Sequence, residues 1–162
     1  MNIENLENLR IYTKDVSVWN IVTLIEYNEL IFEDKDYANA DMIVGVESRV
    51  IERMMVHDIP NRPLYFMEKN NKWECISVYA SHVLPAIKHF VIDKSLKLTD
   101  LDFLKDLTTL GYDDLHPKYQ RHITNSRMFI HIIREETPDK IKEILINRIN
   151  LDEIGGTIGI KH

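Results

Sequence analysis

The chain has 162 residues, 44% hydrophobic and 28% charged, the balance of one folded domain able to bury a core without metal or disulfide support. Its formal net charge of −6 argues against non-specific binding to nucleic acid, which depends on Lys and Arg neutralising phosphates. The single cysteine, Cys75, excludes an internal disulfide and reads as a small buried hydrophobe in a reducing compartment.

The opening Met1-Asn2-Ile3-Glu4 lacks the basic and then apolar pattern of a signal peptide, and no apolar run approaches membrane-spanning length. A cytoplasmic protein without membrane contact is expected. With 5 Gly and 5 Pro scattered along the chain, no linker or repeat is visible, which predicts one domain over residues 1–150 and a C-terminal tail over 151–162.

In chain order, Leu9 to Thr13 reads as a strand. Asp15 or Ser17 then caps a helix whose inward positions are Val18, Ile21, Val22 and Ile25. A short strand is predicted at Glu29 to Phe32, and the acidic stretch Glu33 to Asp41 reads as a solvated loop. A helix follows with Val46, Val50, Ile51, Met54 and Met55 on one face, ended by Asp58-Ile59-Pro60. Leu64 to Glu68 and Trp73 to Val78 form a hairpin around Lys69-Asn70-Asn71, and the apolar character of the second strand suggests a central position.

Ser81 is expected to cap a helix to about Val91 with Pro85 in its first turn, and Leu96 to Leu115 to consist of short strands or turns. Pro117 opens a helix through His122, Met128 to Ile133 is a strand, and Thr137-Pro138-Asp139 starts a last helix to about Ile149. Ile141, Ile144, Leu145 and Ile149 are its inward positions. The sum is a mixed α/β domain, a small mixed sheet flanked by helices.

Several of these segments carry a resemblance. Ser48-Arg49-Val50-Ile51-Glu52-Arg53-Met54-Met55 with Asp58-Ile59-Pro60-Asn61-Arg62-Pro63-Leu64-Tyr65-Phe66 is similar to the pattern "s.LIESIL..IPiPplYf". Leu84-Pro85-Ala86-Ile87-Lys88-His89-Phe90 is similar to "RLTAIkrF", and Ile146-Asn147-Arg148-Ile149-Asn150 to "F.RIN". Together they resemble the ParB/sulfiredoxin-like N-terminal domain of GmrSD-type modification-dependent restriction enzymes, a family linked to phage defence. That resemblance implies a nucleotide-binding fold with a DGQQR motif between the central strand and the next helix.

Here the sequence departs from the family. Tyr79-Ala80-Ser81-His82-Val83 stands on the motif positions, so the Asp, both Gln and the phosphate-facing Arg are missing. A second motif, "P.YQR", falls near Asp36-Tyr37-Ala38-Asn39 and is likewise lost, while Pro117-Lys118-Tyr119-Gln120-Arg121 lies too far downstream to replace it. No segment resembles the family's HNH-type nuclease. The chain is therefore expected to be no enzyme and to need no cofactor. It should act through a protein partner or as a homo-oligomer, as an accessory or an inhibitor of an intact relative.

The alternative is a degenerate pocket of Tyr79, Ser81, His82, Asn147, Arg148 and Asn150 that holds a nucleotide or modified base without hydrolysing it. DNA binding through a local basic face is a further, weaker alternative. None of the seven histidines has zinc-site spacing, and His82 and His89, seven apart on one helix, are too distant to share an ion.

Overall fold

The computed structural model describes residues 11–34, 40–59 and 62–159, with side chains excluded at 40, 41 and 154–159. Five strands form one mixed sheet: β1 (Ile11–Ser17), β2 (Leu30–Ile31), β3 (Leu64–Lys69), β4 (Lys72–Cys75) and β5 (Arg127–Ile133). Their spatial order is β1-β5-β3-β4-β2. Pairing is antiparallel for β1 with β5 and β3 with β4, and parallel for β3 with β5 and β2 with β4. The helices are α1 (Val18–Glu26), α2 (Ala40–Met55), α3 (Val78–Ile87), α4 (Pro117–Thr124) and α5 (Asp139–Gly159). The mixed α/β architecture read from the sequence is what folds.

Successive strand residues point to opposite faces, and the register decides which side chains share one. Leu64 and Phe66 lie opposite Ile130 and Ile132, and all four are buried, so this is the core face. Ile21, Ile51, Met54, Leu84 and Ile87 from α1, α2 and α3 join it in one apolar cluster. On the opposite face, Tyr65 meets α5 in a recess with Ile149, Asp152 and Glu153.

Local chemistry explains several boundaries. Ser17 rather than Asp15 is the cap of α1: its hydroxyl accepts from the Asn20 backbone amide at 3.2 Å, while the Asn20 side-chain Oδ1 accepts from the Ser17 backbone amide at 3.0 Å. Changing Ser17 to Ala leaves that helix-end amide unmet and is expected to cost about 1 kcal/mol in urea unfolding. A loss below a few tenths would show that water replaces the hydroxyl. Val18, Ile21, Val22 and Ile25 are all buried, as their spacing predicts.

Elsewhere the sequence reading needs correction. α3 begins at Val78, three residues before Ser81, because Ser77 takes the cap and accepts from the Ala80 amide at 3.3 Å. Ser81 instead turns its hydroxyl back onto the Val78 carbonyl. Pro85 thus lies inside the helix, where its missing N–H interrupts the ladder, and the chain widens into a π-turn at Lys88–Ile92.

The same cap ends β4 at Cys75, and β4 has only the two residues of β2 beyond it. Lys72 is exposed and Trp73, Glu74 and Cys75 are only half-buried, so β4 is not a buried central strand. Thr137-Pro138 does start α5, with Ile141 and Lys142 amides donating to the Pro138 carbonyl, but the helix runs past Ile149 through the expected tail to Gly159. Ile144 points outward, at 39% exposure, while Ile141 and Ile149 are buried. The expected strand at Leu9–Arg10 lies outside the described residues. Among those described, no helix is long and apolar enough to cross a membrane.

Candidate functional site

The N-terminus of α3 stands at the end of the β4 segment, where a parallel α/β unit can place an anion. It already holds one. The Glu153 carboxylate from α5 accepts from the Val78 amide at 2.8 Å and the Tyr79 amide at 3.3 Å. A carboxylate is favoured there because the unpaired amides of a helix start carry partial positive charge. Ser77 meets the Ala80 amide, so the first-turn donors face the protein's own side chains.

Beside this turn, α2 and α3 enclose a cleft of about 270 Å³ lined by Val46, Arg49, Val50, Arg53, Met54, Ile59, Tyr79, Asp102 and Met128. α2 supplies most of the wall, and Tyr79 reaches in from the first turn of α3. Arg49 is held by Asp100 at 2.8 Å, and the Arg62 guanidinium lies 6.0 Å from the centre of the Tyr79 ring. Burial pushes the Tyr79 hydroxyl above its usual pKa, while Arg53 and Arg62 pull it the other way. It remains a neutral donor at physiological pH.

The residues singled out from the sequence do not form one pocket. Tyr79 lines the cleft, while His82 lines a separate, mainly apolar recess with Met42, Ile43, Val46 and Glu47. Val46 is the wall between the two. Ser81 is engaged with the Val78 carbonyl. On α5, Asn147 and Arg148 are exposed and Asn150 is half-buried, and none of them lines the cleft or the recess at Glu153.

A buried charged cluster escaped the sequence reading. His89, in the π-turn, sets Nδ1 2.9 Å from a Glu47 oxygen and Nε2 2.7 Å from an Asp34 oxygen. The two ring nitrogens each face a carboxyl group, so the imidazole bridges Asp34 and Glu47. Asp34 also takes Lys88 at 2.8 Å, and that hydrogen bond, with His89 adding to it, holds the Asp34 carboxyl below its usual pKa. Glu33 and Asp34 are exposed and outside regular structure, as expected of a surface loop, but these contacts also pin Asp34 to the domain. Residues 35–39 lie outside the described residues.

Glu52 of α2 does a similar task nearby. Its carboxylate accepts from the amides of Asp102, Phe103 and Leu104 at 2.9, 2.8 and 2.7 Å. Burial works to raise its pKa, but the three amides together, helped by Arg49, keep it lowered. This clamp fixes the loop that brings Asp102 to the cleft wall. No pattern in the linear sequence marks either cluster, since the partners are separated by 42 to 55 residues.

A second recess adjoins the cleft at Ile59 and is lined by His57, Arg121, His122, Asn125, Ser126 and Arg127. The His57 and His122 rings lie 4.3 Å apart, and His122 donates from Nδ1 to the Met55 carbonyl at the end of α2. Among the described residues, no group of three or more His, Cys, Asp or Glu is arranged to hold a metal ion. Comparison of the chain with family models, curated proteins and solved structures returned no match.

Proposed function

We propose that this protein is a non-enzymatic interaction protein, a catalytically degenerate relative of the nucleotide-binding domains of restriction and phage-defence systems, acting as an accessory or inhibitor through protein contacts. One observation carries the reading. The helix start that would face a phosphate is occupied by the chain's own Glu153 carboxylate. A bound nucleotide would have to displace an anion that is tethered and always present. Tyr79-Ala80-Ser81-His82-Val83 itself carries no Asp or Glu where the resembled motif has its Asp.

The retained-nucleotide alternative has less support on this geometry, because Arg148 and Asn147 stand apart from Tyr79 and His82. Thermal unfolding with and without ATP or GTP and Mg²⁺ tests both readings, since a ligand that binds only the folded state raises its stability. Neither a shift in Tm nor phosphate release is expected. Robust hydrolysis abolished by changing Arg148 would overturn the proposal, and a nucleotide-dependent shift of several degrees without hydrolysis would favour the alternative.

A further inference from the structure

We infer that the cleft between α2 and α3, with the recess beside it, docks an acidic segment of a partner protein carrying one apolar anchor side chain. The inference rests on the interaction reading above and names the chemistry of the partner. Val46, Val50, Met54, Ile59 and Met128 make most of the cleft wall apolar, with about 270 Å³ of space between them. Such a pocket suits a single large side chain, the usual centre of a peptide interface.

The charges around it choose the flanking chemistry. Carboxylates outnumber Lys and Arg in this chain, 26 to 20, so an arginine without an acidic partner is unexpected. Arg49, Arg127 and Arg134 are paired with Asp100, Asp15 and Glu136. Arg53, Arg62, Arg121 and Arg148 make no ion pair with a carboxylate among the described residues; Arg148 stands on α5 and Arg62 also lines the recess with Asp152 and Glu153, which leaves Arg53 and Arg121 on the cleft side. Arg53 lines the cleft, Arg62 lies over Tyr79, and Arg121 lines the recess that shares Ile59 with the cleft. The guanidinium fork matches a carboxylate in two-point geometry.

The lining favours an acidic peptide over a nucleic acid. Apolar side chains rather than cations form the floor, and Asp102 stands in the wall. The recess lies at the C-terminal ends of α2 and α4, where His57 follows the last turn of one helix and Arg121 and His122 close the other. The partial negative charge of two helix C-termini opposes a run of phosphates more than isolated carboxylates reaching the arginine tips.

The test is to pan a displayed library of random peptides against the immobilised full chain and measure the selected peptides by fluorescence anisotropy. Enriched sequences should place Asp or Glu around a Leu, Phe or Trp and bind more weakly as salt rises. Arg53→Gln and Arg121→Gln, both exposed positions whose urea unfolding should not change, are each expected to weaken the best peptide about five- to tenfold. No enrichment, enrichment without acidic residues, affinity unchanged in both variants, or preferential low-salt binding of a labelled oligonucleotide to the same arginines would overturn the inference. Nucleotide turnover would instead defeat the non-enzymatic reading, and the arginine dependence of peptide binding would still support the docking face.

Discussion

Replacing His89 with Ala is expected to lower the unfolding free energy by about 1–3 kcal/mol, the range for leaving a buried hydrogen-bonding group without its partner. The reason is what stays behind. Glu47 is 3% exposed in its side chain, so without the imidazole its carboxyl group loses this hydrogen bond while staying shielded from water. Asp34, at 47% exposure, can turn to water and contributes less. Urea denaturation measures the loss, and a value under about 1 kcal/mol would show that Glu47 is stabilised mainly by its other surroundings.

Asp34 sets the acid side of the same cluster. Its folded pKa is lowered, so its contribution is fully present above the ordinary carboxylate range near pH 4 and is lost as pH falls through the lower folded value. Asp34→Asn should therefore flatten the acid limb of the stability curve. In His89→Ala the same substitution should have a smaller effect, because one of the contacts it removes is already gone. Purely additive losses would mean that Lys88 alone holds Asp34.

Glu52→Ala is the second large effect. Three part-buried loop amides lose one acceptor together; a fully buried donor left unmet costs about 1–3 kcal/mol, and here the exposed Asp102 and Phe103 let water offset part of the sum. A net loss of about 3 kcal/mol is expected, with faster amide exchange at Asp102, Phe103 and Leu104. Glu52→Gln keeps one carbonyl acceptor and should cost roughly half as much. Because the folded pKa of Glu52 is lowered, wild-type stability from this clamp is present above the ordinary carboxylate range and fades as pH drops below it, a dependence both variants should lack. Protected amides at Asp102 to Leu104 in Glu52→Ala would rule out the clamp.

Both clusters bear on function through the cleft. Glu52 fixes the loop carrying Asp102, and the Glu47–His89 pair ties α2 to the end of α3, the two helices that form the walls. A docking surface made of side chains from separate helices needs such ties to keep its spacing. Among the described residues, no buried side-chain nitrogen or oxygen lacks a hydrogen-bond partner. That completeness is what makes charged groups tolerable this close to the core.

Sequence alone determined what depends on neighbours a few residues apart. The apolar spacing of Val18, Ile21, Val22 and Ile25, the Asn70-Asn71 turn with both residues at positive φ, and the Thr137-Pro138 start of α5 are local, and each occurs where the sequence places it. The choice of Ser77 over Ser81 as a cap was not legible, since both are competent and the hydrogen bond from the Tyr65 amide to Ser77 comes from another strand. Only the tertiary structure decided the site. Glu153 reaches the Val78 amide across 75 positions, and His89 meets Glu47 and Asp34 across 42 and 55, so no period or motif records them. Hydrophobic patterning specifies which face of a helix turns inward, whereas ionic partners are chosen only once packing has removed the competing water.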